Sequence, residues 1–152
     1  MTKDVLLKIS GLQFAAEQDD SDLEPVEIIA PGQYYYKNGK HYIFYDEFME
    51  GFDSVTKNVL KLKEDCLEIT KKGTANVHMV FEKDKKNMTC YTTPFGSLMM
   101  GIDAKDITVE ETDGQINAQV EYALDVNYEH LANCKIRLQV QSKDVDRFAL
   151  VD

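Results

Sequence analysis

Tryptophan is absent from this chain, and cysteine and proline number three each. Cys66, Cys90 and Cys134 are odd in number and far apart, and no CxxC or HxxxH pair occurs, so neither a disulfide framework nor a zinc motif is encoded. Reduced thiols and no cofactor are expected. No stretch approaches the roughly eighteen apolar residues of a membrane helix, and the apolar run at Val5–Leu7 is too short for a signal peptide. A cytoplasmic protein is expected, and in it the Asn87-Met88-Thr89 sequon carries no weight. Positive charge is scarce too: 17 Lys and Arg against 27 Asp and Glu leave a net charge of −10, which repels phosphate backbones and anionic bilayers alike. Neither nucleic acid nor membrane is an expected partner. The one mixed-basic stretch, Lys57–Lys72, contains Glu64, Asp65 and Glu68 and reads as solvated strands. No GxSxG and no phosphate-binding glycine run is present.

What the chain does have is β-patterned sequence, clearest at Gly32–Glu47, where two aromatic runs meet at Asn38-Gly39. A two-residue type I′ turn needs positive φ at both central positions, which Asn and Gly tolerate. Closing the turn there puts Lys37 opposite Lys40. Tyr34, Tyr36, His41, Ile43, Tyr45 and Glu47 then share one face of the hairpin, and Tyr35, Tyr42 and Phe44 share the other. Both faces are aromatic, so pattern alone does not say which is wet. With 152 residues the chain suits a single domain over residues 1–152 that buries roughly two-thirds of its unfolded surface without metal or disulfide staples.

Other strands follow from a period of two. Val5, Leu7 and Ile9 alternate with polar positions, with Leu12 and Phe14 continuing the run. The acidic 17–24 stretch reads as an exposed loop: Asp20, Asp22 and Glu24 have the first spacings of a calcium loop, but Pro25 and Pro31 stand where glycine and a bidentate Glu are wanted. Thr56, Asn58, Leu60 and Leu62 point one way and Lys57, Lys61 and Lys63 the other. A loop of three residues at Lys72-Gly73-Thr74 is expected to pair Ile69 with Val77 and Leu67 with Met79. Thr89, Tyr91 and Thr93 alternate up to Pro94 and Gly96, where a corner is expected because proline cannot donate to a ladder. Asp113-Gly114 is a second two-residue turn that sets Val109 opposite Ala118 and Ile107 opposite Val120. Ile116 to Val126 is the cleanest strand, residues 128–133 make a short connection or helical turn, and Cys134, Ile136, Leu138 and Val140 form the last strand. A tail over 143–152 brings Phe148 and Leu150 onto the body. Nine or ten strands with short loops and no amphipathic helix predict an antiparallel barrel, since closure removes edges.

The order Tyr36-Lys-Asn-Gly-Lys-His-Tyr-Ile-Phe-Tyr45-Asp-Glu47, Thr56-Lys-Asn-Val-Leu-Lys61, Lys72-Gly73, Met79-Val-Phe81, Tyr91-Thr-Thr93-Pro94-Phe-Gly96-Ser-Leu98-Met and Tyr122-Ala-Leu124 resembles the YwiB-like family of Gram-positive bacteria, over nearly the whole chain. The resemblance implies an all-β, calycin-like (lipocalin-type) antiparallel barrel of about 8–10 strands. It lends no activity, because that family has none assigned. Nothing is carried over to the 17–24 stretch or to the tail after Ser142.

If the Ile43 face is interior, as the resemblance favours, then Tyr36, Tyr45, Glu47, Thr56, Asn58, Tyr91, Thr93 and Tyr122 all project inward. A small molecule held in the lumen by Tyr36, Tyr45, Glu47, Tyr91, Thr93 and Tyr122, against Met79, Phe81, Leu98 and Met100, is one reading. The bland alternative places Glu47 in water at a strand end and makes the tyrosines core fillers. A different class of function is a packed barrel that uses its outside, with Tyr35, Tyr42 and Phe44 as an interface, a homodimer among the options. An enzyme would need Glu47 as general acid or base. No ligand or catalytic spacing links His41, His78 or His130 to another His, Cys or acid, so each reads as structural or exposed.

Overall fold

The computed structural model describes residues 3–14, 25–48, 51 and 53–143; the 17–24 stretch and the proposed docking of Phe148 and Leu150 lie outside them. Ten strands follow one another: β1 (Asp4–Phe14), β2 (Pro25–Lys37), β3 (Lys40–Phe48), β4 (Val55–Lys63), β5 (Cys66–Lys72), β6 (Val77–Glu82), β7 (Lys86–Thr93), β8 (Gly96–Thr112), β9 (Gln115–Val126) and β10 (Glu129–Ser142). All pairings are antiparallel and each strand lies beside its sequence neighbours, with β1 against β10. The end strands β6 and β7 meet through one backbone pair, Asn76 with Thr92, at 2.8 and 2.9 Å. The sheet thereby rolls into a nearly closed barrel.

The central hairpin has the expected register, Lys37 opposite Lys40 and Tyr36 opposite His41, with φ of 54° at Asn38 and 77° at Gly39. Its Ile43 face is the inner one: Tyr34, His41, Ile43 and Tyr45 are buried, while Tyr35 and Phe44 on the outer face are exposed. Thr56 and Asn58 point inward and are buried, as the lysine alternation on β4 demands. Ile107 faces Val120 and Val109 faces Ala118. In the 113–114 turn only Gly114 takes positive φ (76°), so it differs in type from the first hairpin. Between Ser10 and Gln13 three steps of β1 face one of β2, two extra residues, whereas single-residue shifts fall between His130 and Ala132 and between Ala104 and Asp106, where the apolar positions of β8 switch from even to odd numbers. A bulge inserts one extra residue, and the inward set changes parity with it.

Three expectations need correction. The β5–β6 register is Leu67 with Phe81, Ile69 with Met79 and Lys71 with Val77, two residues beyond the predicted one, so residues 72–76 form the loop. That longer loop is held from outside itself: Thr56 Oγ1 accepts from the backbone N–H of Thr74 (3.1 Å) and Ala75 (3.4 Å), and Asn76 bridges back to the Gly73 carbonyl (2.9 Å). At Pro94 there is no corner but a tight hairpin, Thr93 opposite Gly96, in which Thr93 Oγ1 accepts from the Phe95 N–H at 3.1 Å. The β9–β10 link is a two-residue turn at Asn127 (φ 50°) and Tyr128 (φ 71°), with β10 starting at Glu129 and no helical turn. Among the described residues no helix is long and apolar enough to cross a membrane.

The core lies inside the barrel. Val5, Leu7, Ile43, Leu62, Ile102, Ile116 and Val140 have no exposed surface. Cys66, Cys90 and Cys134 are free thiols.

Candidate functional site

Alternation along β5 carries Leu67, Ile69 and then Lys71 into the barrel, and Lys71 is 1% exposed. An ammonium group taken from water at this depth needs partners. It has two: Lys71 Nζ donates to Glu47 Oε1 and to Asn58 Oδ1, each at 2.8 Å. Asn58 in turn donates through Nδ2 to Glu47 Oε1 (3.4 Å) and to the Thr56 carbonyl (3.2 Å). Three neighbouring strands thus each supply one polar side chain: Asn58 and Lys71 are directly opposed, and Glu47 stands one inward position further along. Glu47 sits at the end of β3 and keeps 20% side-chain exposure, so the pair has one foot at the barrel mouth and one inside.

Tyr45 stands one inward position deeper than Glu47 on β3. It is buried, and its hydroxyl has no hydrogen-bond partner among the described residues. Burial raises its pKa well above 10, and the nearby Glu47 carboxylate and Tyr91 push the same way. Tyr91 is raised by burial and again by Glu47, which brings Tyr45, Glu47 and Tyr91 into one electrostatic neighbourhood. The inward positions of β7, Asn87, Thr89, Tyr91 and Thr93, all retain partial exposure. The β9 positions at the same level across β8 are Leu124, which is buried, and Val126, which is part-exposed. Among the described residues the 76–92 pair and an Asn87 Nδ2 bond to the Val80 carbonyl (3.2 Å) close the seam beside β7, whose inward side chains are part-exposed.

Of the six residues expected to line a lumen site, three come together here: Tyr45, Glu47 and Tyr91. The other three do not. Tyr36 is 62% exposed at the far mouth, where its ring lies tilted against His41 at 5.0 Å, because β2 has passed the end of the core by that point. Thr93 is occupied in its own turn. Tyr122 is a core residue, edge-on to Phe81 at 5.0 Å with its hydroxyl donating to the Gly11 carbonyl at 3.4 Å. Among the expected apolar wall, Met79 and Phe81 are buried while Leu98 is 43% exposed. Lys71 was missed: its signal was the continued odd-number alternation of β5, set aside because lysine ordinarily faces water.

The far mouth has its own polar chain. Tyr34 OH bonds His41 Nδ1 at 2.7 Å, and His41 Nε2 lies 3.6 Å from Glu111 Oε1. Burial lowers the His41 pKa below 6.5, an effect that Glu111 opposes in part. Tyr34 is pushed up to about 12 by burial, then by Glu111. His78 and His130 lie outside, beside Glu68 and Asp125. Among the described residues no three His, Cys, Asp or Glu side chains converge to hold a metal ion.

Compared with known families, residues 8–138 match the one described as Domain of unknown function (DUF1934). The chain belongs to this family. Within the curated proteins, this DUF1934 chain is similar to the Uncharacterized beta-barrel protein YwiB of Bacillus subtilis (strain 168), with 26% identity over 122 residues covering 78% of this chain and 84% of that protein. The crystal structure of ywiB protein from Bacillus subtilis matches with a TM-score of 0.72 over 92% of each chain. At 19% identity that likeness is one of fold.

Proposed function

We propose that this barrel is a cytoplasmic binding protein for a small molecule that carries an acceptor oxygen, a carbonyl or carboxylate, on an apolar body. The observation that carries the reading is the buried Lys71 ammonium next to the unpartnered Tyr45 hydroxyl. Lys71 has two acceptors among the described residues, which leaves its third N–H, and the Tyr45 O–H adds a second donor. Apolar residues would fill this space at lower cost in stability, so a polar cluster kept here argues for a task. Partial exposure along β7 supplies an approach for a ligand, and the simple up-and-down strand order is the one calycin-like carriers use.

Because the Tyr45 hydroxyl has no accessible surface, binding needs the β6–β7 seam to open. Native mass spectrometry of the chain purified from its own cells tests the reading. A discrete extra mass that leaves on denaturation is expected, reduced in Lys71→Met and in Tyr45→Phe, the latter a variant that keeps the fold. A bare chain mass, or an extra mass that both variants retain in full, would overturn it.

A further inference from the structure

On the outside of β2–β5 runs a groove of about 1130 Å³. Outward positions of adjacent strands make its floor: Tyr35, Phe44, Phe48 and Val59, with Tyr35 and Phe44 packed edge to face at 5.7 Å. These are large apolar surfaces in water, since Phe48 is 79% exposed, Tyr35 41% and Phe44 39%. The walls are basic. Lys57, Lys61, Lys72 and Lys143 line the groove against two carboxylates, Asp4 and Asp46, and Lys57 already lies 3.5 Å from Asp46. Lys61, Lys72 and Lys143 have no carboxylate partner among the described residues. A concentration of lysines without a carboxylate partner among the described residues, over an aromatic floor, stands out on a chain with a net charge of −10.

We propose that this groove docks an acidic peptide segment of a partner protein, laid extended across the strands with apolar side chains on the floor and carboxylates on the walls. Charge selects the class. A long polyanion such as nucleic acid would meet the repulsion of the remaining acidic surface, whereas a short segment is governed by charges within about one Debye length, roughly 10 Å. The floor selects further: Tyr35, Phe44 and Val59 gain only from apolar partners, so a purely acidic ligand would leave it wet. Alternation of acid and apolar residues is not what extended backbone wants of a single-faced site, because successive side chains point oppositely; acids at the margins of two or three apolar anchors fit better.

The probe is a fluorescein-labelled peptide with apolar anchors two apart, flanked by aspartates, titrated with the full chain and read by anisotropy; a lysine-flanked copy is the control. Expected are saturable binding of the acidic peptide that weakens with added salt, and a tenfold or greater rise in Kd in Lys61→Glu/Lys72→Glu and in Phe44→Ser. Far-UV circular dichroism should be unchanged in both, as these side chains face out. The variant Met88→Ser, at an exposed apolar side chain on β7 outside the groove, should bind as the parent does, which ties binding to this face. Equal binding of both peptides, or none, would overturn the proposal. So would a full-length Phe148→Ser/Leu150→Ser variant that gains binding tenfold, which would make the chain's own C-terminal segment the occupant, and so would a mass in solution of twice the chain that Phe44→Ser halves, which would make it a homodimer face built on Tyr35, Tyr42 and Phe44.

Discussion

Removing one member of the Lys71–Glu47 pair should cost far more than removing both. The N···O distance is 2.8 Å, and at the effective dielectric of about 20 that suits protein sites, Coulomb's law gives an attraction of about 6 kcal/mol. Against this stands a desolvation penalty of several kcal/mol per ion, so the intact pair is close to neutral in net stability. The two single variants differ because the partners left behind differ. Glu47→Gln strands an ammonium that is 1% exposed, with Asn58 and a neutral amide for company. That should cost about 3–5 kcal/mol. Lys71→Met strands a carboxylate that is 20% exposed at the mouth, keeps Asn58 and can draw in water, so about 2–3 kcal/mol is expected.

The double variant should lose only about 1 kcal/mol or nothing, giving a coupling of about 4 kcal/mol or more. Without tryptophan, the assay is urea unfolding followed by far-UV circular dichroism. With urea slopes of about 1–3 kcal/mol/M, each single variant moves its midpoint by about 1 M or more. Single effects that simply add in the double variant, to within about 0.5 kcal/mol, would refute the pairing argument. So would a larger loss from Lys71→Met than from Glu47→Gln.

Tyr45→Phe deletes a buried hydroxyl without a partner and should stabilise the apo chain by about 1 kcal/mol in the same urea assay; destabilisation would mean that the hydroxyl is satisfied. A Cβ at Gly11 would lie 1.8 Å from the Lys135 carbonyl oxygen at φ +88°, whereas nothing lies within 4 Å of one at Gly39. Gly11→Ala should therefore cost about 3 kcal/mol or more and Gly39→Ala only about 1–2, the left-handed penalty alone. His41 is held below its ordinary pKa of 6.5 by burial, so between that value and its lower folded value the unfolded chain binds more protons and stability falls as pH falls. His41→Gln should flatten this dependence, and Glu111→Gln should lower the His41 pKa further by NMR titration, since Glu111 raises it. Tyr128 occupies φ +71° while 76% exposed; Tyr128→Gly should gain about 0.5–1 kcal/mol in thermal unfolding, the left-handed strain relieved less the entropy of glycine.

Legibility in the sequence tracked how local each determinant was. The Asn38-Gly39 hairpin and the inward direction of Thr56 and Asn58 follow from turn chemistry and strict alternation, and both stand in the structure. The bulge in β8 too is written as a parity switch, from Ile102 to Ile107, though a switch can be read as a loop until pairing is known. The β5–β6 loop was not legible, because what lengthens it is Thr56, 18 and 19 residues away from the Thr74 and Ala75 amides from which it accepts. A three-residue loop looks sufficient when the loop is considered alone. Tyr36 failed for a simpler reason: strand parity fixes a face but not how far along the strand the core extends.

Lys71 links that register error to the site. Had the predicted pairing of Ile69 with Val77 held, Lys71 would have met Ala75 inside a tight turn and could have escaped to water with it. The observed register sets it against Val77 within the ladder, where its inward direction is enforced by Ile69 on one side and the loop anchored by Thr56 on the other. Glu47 and Asn58 then come within reach of Lys71 because β4 and β5 pair Asn58 with Lys71, while β3 and β4 pair Tyr45 with Asn58 and Glu47 with Thr56, the next inward position. Thr56 fixes the loop, Asn58 accepts from the ammonium, and Glu47 neutralises it. The same backbone geometry that forces a charge into the barrel thus supplies its partners, while the next inward side chain on β3, Tyr45, is left with a hydroxyl that nothing in the described chain uses.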